Sequence, residues 1–259
     1  MSYVTIEHEP VYYRLSENDL TRRKPPLVLI HGAGGTHMHW PASLRRLPDW
    51  TVYAIDLPGH GQSKGPGRDS IEAYRDVVYG FCQALGLNRI VLAGHSMGSA
   101  ITLDFALHYP QRLAGIVLIG SGARLRVAPA ILDGVHSDFP ATAKLIAEWT
   151  HDPNTPEQMK RLYLQRLMEN DPAVLYGDYV ACDHFDLRAD IARIQPPALV
   201  VCGGNDRMTP VKYSEYLVEN LPNARLVLIP GVGHMVMFEA PEETTAAVEG
   251  VLTEWGGER

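Results

Sequence analysis

Cysteine is scarce in this 259-residue chain: three residues, at positions 82, 182 and 202, sit in apolar or mixed surroundings with no CxxC pair. An odd count without paired spacing excludes a disulfide framework and a cysteine-based metal module, so all three are expected as reduced, buried small hydrophobes. Basic charge is also short. Lys and Arg number 23 against 30 Asp and Glu, giving a net charge of −7 and a pI near 5.9. That balance offers no field to neutralise a phosphate backbone, so nucleic acid is not an expected partner. Long apolar runs are missing: the stretches 114–120 and 198–204 fall far below the ~18 residues that a bilayer span needs, and no membrane partner is expected. The amino terminus, MSYVTIEHE, has neither a basic n-region nor an apolar h-region, which makes the cytoplasm the expected location. Internal repeats and low-complexity tracts are lacking too.

What is present is an ordinary packed chain. Hydrophobic residues make up 46% and charged residues 20%, with 23 Gly and 19 Pro, which excludes disorder and fibrous repeats. A mass of 28.7 kDa predicts a folded surface of roughly 11,000 Å² and burial of about 73% of the unfolded surface. Single α/β units commonly reach this length, so one core with an insertion is the expected organisation.

Short apolar runs alternate with longer helical patterns. Residues 4–6 and 11–15 predict a leading hairpin, and the runs 27–30, 52–55, 90–93, 116–119, 199–202 and 226–229 predict six buried parallel strands. Helical spacing of Ile71, Tyr74, Val77, Val78, Phe81 and Leu85 follows an Asp69-x-x-Glu72 capping pattern and stops at Gly86. A second helix is predicted from Ser96 to Tyr109-Pro110, a third from Thr209-Pro210 with a capping hydroxyl, and a fourth from Pro241 toward Trp255. This β-α-β alternation predicts a right-handed doubly wound sheet. It fails across 122–189, where 142–149, 156–168 and 172–182 look helical. The expected domains are a core of residues 1–121 and 190–259 and a helical cap of residues 122–189, lying over the carboxyl end of the sheet where ligands bind such folds.

The sharpest chemical signal is Gly94-His95-Ser96-Met97-Gly98, between the predicted strand 90–93 and a helical pattern. A strand-to-helix turn at that point strains Ser96 and exposes its hydroxyl, while crowding admits only small residues two places to either side. The helix that follows aims its amino end at the site, so the Met97 N–H can stabilise a negative oxygen. A hydroxyl needs a base to become a nucleophile, and the base needs an orienting carboxylate. Asp206, just past the strand 199–202, and His234, just past 226–229, supply both from the same edge of the sheet. His31-Gly32-Ala33-Gly34-Gly35 follows the strand 27–30, and its glycines let Ala33 N–H act as a second oxyanion donor. No Walker lysine or GxGxxG accompanies that loop. His37-x-His39 lacks an HExxH or partnered carboxylate motif and is expected in a loop or pocket wall, so no metal is assigned. Met97, Met208, Met235 and Met237 lie near the proposed site and fit either an acyl pocket or the core.

HGAGG at 31–35, DLPGHGQS at 56–63, GHSMG at 94–98, GGNDRMTP at 203–210 and GVGHMVMFEAPE at 231–242 occur in the order seen in the α/β-hydrolase superfamily. The chain resembles the capped branch that contains carboxylesterases, enol-lactonases, haloperoxidase-like esterases and carbon–carbon bond hydrolases. The resemblance implies the α/β-hydrolase fold, with a mostly parallel eight-stranded sheet and a helical cap. It also implies Ser96 as nucleophile, Asp206 as acid, His234 as base, and Ala33 and Met97 as the oxyanion hole. Haloalkane dehalogenases and epoxide hydrolases carry aspartate where this chain has Ser96, which disfavours both activities.

The expected function is therefore cofactor-free hydrolysis of a small carboxylic ester or lactone, by a monomer or homodimer. The alternatives are a carbon–carbon hydrolase of a vinylogous diketone, for which Arg124 and Arg126 are candidate carboxylate binders, and a slow-turnover ligand receptor with the same fold. Of the apolar residues in the insertion, Trp149, Leu164, Met168, Tyr176, Tyr179 and Phe185 are candidates to face the substrate, most of them holding the cap on the core instead.

Overall fold

Each apolar run becomes a strand in the computed structural model, which describes residues 2–18 and 24–256. The strands are β1 (Ser2–Ile6), β2 (Glu9–Glu17), β3 (Leu27–Ile30), β4 (Thr51–Ile55), β5 (Ile90–His95), β6 (Leu113–Ile119), β7 (Ala198–Gly203) and β8 (Ala224–Ile229). They form one eight-stranded sheet in the order β1-β2-β4-β3-β5-β6-β7-β8. β1 and β2 make an antiparallel hairpin, β2 joins β4 antiparallel, and β3 to β8 run parallel.

Ten helices complete the described residues: α1 (Ala42–Arg45), α2 (Ile71–Ala84), α3 (Met97–His108), α4 (Pro129–Ser137), α5 (Phe139–Thr150), α6 (Glu157–Leu167), α7 (Pro172–His184), α8 (Val211–Asn220), α9 (Val236–Glu239) and α10 (Pro241–Trp255). The central strands β3, β5, β6 and β7 are buried along their whole length because helices cover both faces of the sheet there. Val28, Ile30, Leu92, Leu118 and Val200 join the core under α2, α3 and α8, whereas Leu27, Leu29, Val91, Val117 and Val201 join the one under α1 and α10. The accessible surface is 11,120 Å², in line with the scaling expectation.

The chain steps outward from β3 to β4 in one direction and from β5 to β8 in the other. The carboxyl ends of β3 and β5 therefore flank the switch point where an open α/β sheet leaves a crevice. The HGAGG loop and Ser96 emerge there.

Several local expectations are corrected. β8 is not buried: it is the last strand of the sheet, with only β7 beside it, and Leu228 is 47% exposed. The cap of α2 is Ser70, whose hydroxyl accepts from Ala73 N at 3.2 Å, in place of Asp69. Thr209 does not cap α8, whose N-cap is Pro210, because its hydroxyl is engaged at the candidate site. Between β6 and β7 lie four helices where three were expected. The additional one, α4, contains Gly134, which weakens helical propensity, but a Cβ there would meet Thr142 Oγ1 of α5 at 2.3 Å. Close packing of α4 on α5 thus excludes a better helix former. All three cysteines are free and buried, and burial pushes the Cys82 thiol up to about 12 and Cys202 to about 11. No helix of the described residues is long and apolar enough to cross a membrane.

Candidate active site

Ser96 sits between β5 and α3 with φ 53° and ψ −117°, a conformation that L-residues hold only when their surroundings enforce it. The enforcement is steric. A Cβ on Gly94 would lie 2.0 Å from Gly98 O, and one on Gly98 would lie 2.3 Å from Ile30 O, so α3 is pressed against both β5 and β3. Ser96 N donates to Ile119 O at 2.9 Å, which holds the turn against β6.

His234 is fixed from two sides. Its Nδ1 lies 2.9 Å from Asp206 Oδ2; since a carboxylate only accepts, Nδ1 carries the proton and Nε2 keeps its lone pair. Its carbonyl accepts from His95 Nε2 at 3.0 Å. Burial, aided by the neighbouring His234 ring, lowers His95 to about 3, so that ring is a neutral donor at ordinary pH.

Asp206 is a saturated acceptor. Oδ1 takes Met208 N and Thr209 N, both at 2.8 Å, and Oδ2 takes Thr209 Oγ1 at 2.7 Å besides His234. Burial raises its pKa, but the His234 ring and these hydrogen bonds outweigh that and hold the carboxyl below its usual range. The group stays ionised and orients the imidazole.

The HGAGG loop is a tight turn. Gly35 N donates to Gly32 O at 3.0 Å, and Gly34 has φ 61°. His31 staples it to the loop after β4: its Nδ1 lies 2.8 Å from Gly32 O, and its Nε2 accepts from Leu57 N at 3.0 Å. Desolvation of this fully enclosed ring keeps it neutral, well below the ordinary histidine range. His37 and His39, both in one short 3-10 turn, have separate tasks. His37 Nδ1 donates to Asp56 Oδ1 at 2.8 Å, whereas His39 faces the cavity and is driven to about 3 by burial. They share no carboxylate, and among the described residues no cluster of His, Cys, Asp or Glu is arranged to hold a metal.

Ser96, His234 and Ala33 line one cavity of about 60 Å³, together with Gly32 and His95. Met97 is fully buried beneath it, at the start of α3. Met208 and Met235 line the cavity, and Met97 and Met237 belong to the core. Of the insertion residues expected to face substrate, only Tyr179 lines this cavity. Thr150, Tyr163 and Cys182 contribute to the wall unforeseen, whereas His39 lines it as the pocket-wall reading of His37-x-His39 expected. Tyr163 and Leu167 form a buried i, i+4 pair on α6, a spacing that signals burial without separating a cavity wall from the core. Arg126 reaches the cavity rim while its Nε lies 3.3 Å from Asp183 Oδ1; Arg124 pairs instead with Asp186.

The segment between β6 and β7 is bonded to the loops that carry these residues. Met235 N donates to Thr150 O at 3.0 Å, next to His234. Asn205 Nδ2 donates to Asp152 Oδ2 at 2.6 Å, next to Asp206. Glu239 Oε2 accepts from Asp152 N at 2.9 Å, Thr155 Oγ1 at 2.5 Å and Gly233 N at 3.2 Å.

Comparison with known proteins agrees with this architecture. The chain is 32% identical over 231 residues to the dihydrolipoyllysine-residue acetyltransferase component of the acetoin cleaving system of Pseudomonas putida, covering 84% of this chain but only 60% of that protein. It is 28% identical over 274 aligned positions to the 2-hydroxy-6-oxononadienedioate/2-hydroxy-6-oxononatrienedioate hydrolase of Burkholderia vietnamiensis, covering 93% and 91% of the two chains. A solved structure of a thermophilic esterase from Thermogutta terrifontis superposes with a TM-score of 0.88 at 25% identity, over 99% of this chain and 100% of that one. Residues 27–248 match the family model of the alpha/beta hydrolases. With that match spanning most of its length, the chain belongs to the alpha/beta hydrolase family.

Proposed function

We propose that the protein is a serine hydrolase of small carboxylic esters or lactones. The observation that carries this reading is the 2.9 Å pairing of His234 Nδ1 with Asp206 Oδ2 beside a cavity that Ser96 also lines. In that arrangement His234 Nε2 takes the Ser96 proton as Oγ attacks the substrate carbonyl. The tetrahedral oxyanion is held by Ala33 N–H and Met97 N–H, each donor contributing on the order of 10² to 10³ in rate. Collapse of the intermediate breaks the bond to the leaving oxygen, which receives the proton from His234. Water, deprotonated by the same imidazole, then attacks the acyl-enzyme and frees Ser96. With a lactone the leaving oxygen stays tethered to the acyl group.

The test is turnover of p-nitrophenyl acetate and longer esters by the wild type and by Ser96→Ala. Loss of the nucleophile is expected to cost at least 10³-fold in kcat; equal turnover would sink the reading.

A second reading, cleavage of a carbon–carbon bond in a vinylogous diketone, is favoured by Arg126 at the cavity rim, where a guanidinium is suited to a substrate carboxylate. The 28% identical hydrolase of an oxo-dioic acid points the same way. Faster turnover of a ring-fission diketone acid than of any ester would decide for it.

A further inference from the structure

Asp178 lies on α7, within the helical segment, and its side chain is fully buried. Its Oδ1 accepts from Tyr74 Oη at 2.6 Å, and its Oδ2 accepts from His60 Nε2 and from Gly34 N, both at 2.8 Å. His60 Nδ1 is 3.0 Å from Pro58 O, so both ring nitrogens face acceptors and the ring is built to carry the positive charge that balances Asp178. Asn170, just before α7, donates from Nδ2 to Gly34 O at 3.0 Å. A Cβ on Gly34 would meet Leu175 Cδ1 at 2.8 Å and Leu167 Cδ1 at 3.0 Å. The residue that follows Ala33 is therefore held at both its N–H and its C=O, and walled in, by α6, α7 and the link between them.

The consequence follows from peptide planarity. Gly32 O accepts from Gly35 N, and because the peptide is a trans plane, Ala33 N–H must point the opposite way. Gly35 N–H belongs to the Gly34–Gly35 peptide, whose carbonyl Asn170 holds, so Asn170 fixes the donor that orients the Gly32–Ala33 plane. The positive φ of Gly34 marks a type II turn, in which the middle peptide between Ala33 and Gly34 is reversed relative to type I. The N–H of that middle peptide is the one Asp178 accepts.

We infer that Asp178 and Asn170 are positioning residues for the hydrolytic site: from the helical segment they hold the two peptides that flank Gly34, and through the Gly35 N–Gly32 O bond that closes the turn they keep the Gly32–Ala33 peptide in the orientation that aims Ala33 N–H at a developing oxyanion. The inference rests on the serine hydrolase reading. It makes the helical segment part of the catalytic apparatus as well as the wall of the substrate cavity.

The experiment compares the wild type with Asn170→Ala, Asp178→Asn and Asp178→Ala, on p-nitrophenyl acetate and on a boronic acid that adds Ser96 Oγ to form a tetrahedral anion. Because an oxyanion donor acts in the transition state and not on the bound ester, kcat is expected to fall 10- to 100-fold in Asn170→Ala with KM within about twofold. The boronic acid inhibition constant should rise by the same factor as kcat/KM falls. Asp178→Asn, which keeps an acceptor for Gly34 N, should retain more activity than Asp178→Ala. Circular dichroism and thermal melting identify variants that fail to fold; should Asp178→Ala be one of them, Asn170→Ala carries the test, since apart from Gly34 its amide reaches only Arg166 O and Leu167 O at the end of α6. An unchanged kcat, or a loss confined to KM, in a folded Asn170→Ala variant overturns the inference while leaving the serine hydrolase reading standing. Absence of wild-type ester turnover removes both.

Discussion

Thr209 gives both its backbone N–H and its hydroxyl to Asp206, one to each carboxylate oxygen, at 2.8 and 2.7 Å. The same hydroxyl lies 3.2 Å from His234 Nδ1, so a residue that would ordinarily cap α8 stands inside the contact between Asp206 and His234. Removing the hydroxyl with Thr209→Val deletes a hydrogen bond to a charged group, an effect of about 1.5 to 3 kcal/mol. A drop of roughly 10- to 100-fold in kcat/KM is expected, with Thr209→Ser close to wild type. Steady-state kinetics on a p-nitrophenyl ester check this, and an unaltered Thr209→Val enzyme would contradict it.

The turn around Ser96 tolerates no added carbon. In Gly94→Ala the new methyl would stand 2.0 Å from Gly98 O, a backbone atom that cannot rotate away. Destabilisation beyond about 4 kcal/mol is expected, enough to abolish soluble expression or the melting transition. Gly231→Ala is the contrasting case, because open space surrounds that position and only its φ of 70° resists substitution. Comparable expression of Gly94→Ala and wild type would show that the packing argument is wrong.

Acid should unfold the protein earlier than its carboxylates alone would require. His31, His39 and His95 are neutral in the folded state because burial depresses them, the latter two to about 3. In the unfolded chain they protonate near 6.5. Between those limits the unfolded state binds more protons, so stability declines as pH is lowered, by up to roughly 1.4 kcal/mol per pH unit for each ring. His60 has the opposite sign: burial lowers it, but Asp178 raises it further, so its contribution is complete below about 6.5 and is lost as pH rises through its folded value. Asp56 and Asp206, both depressed, add stability above about 3.9 that disappears at lower pH. Urea midpoints should therefore fall steadily from pH 6.5 to 4, and less steeply in His39→Gln. A midpoint independent of pH over that range would refute the assignment of neutral buried rings.

Glu239 ties the loop that carries His234 to the helical segment through three donors on one oxygen. Glu239→Ala leaves Asp152 N, Thr155 Oγ1 and Gly233 N without their acceptor. At about 1.5 to 3 kcal/mol for hydrogen bonds to a charged group, Tm is expected to drop by roughly 3 to 12 °C for a chain of this size. Scanning calorimetry measures it directly, and an unshifted transition would mean that solvent replaces these contacts at no cost.

The sheet was legible in the amino-acid sequence because its strands are local: uninterrupted apolar runs such as Leu27–Ile30 and Ala198–Gly203 bury both faces and need no distant partner to be recognised. Ser96 was legible for a related reason, since the crowding that selects Gly94 and Gly98 acts within a single turn. The cavity wall was not. Thr150, Tyr163 and Cys182 acquire their roles only once three helices are packed over the sheet, and nothing in their neighbours separates an inward tyrosine from one that fills the core. The task of Thr209 was hidden by a local motif that fits two purposes, a helix cap and an acceptor clamp. Asp178 lies 144 residues from Gly34, with no spacing rule to connect them.

The contacts that bind the helical segment to the core bear on how this scaffold changes its substrates. A segment borrowed wholesale from another hydrolase would have to supply an acceptor for Gly34 N, an acceptor for Asn205 Nδ2 and donors for Glu239. Side chains on the wall carry no such obligation: Tyr163, Tyr179 and Cys182 line the cavity without holding any of those bonds. Diversification of substrate range is then cheapest one wall residue at a time, with Asp152, Asn170 and Asp178 carried along unchanged as the fixtures that let the wall vary.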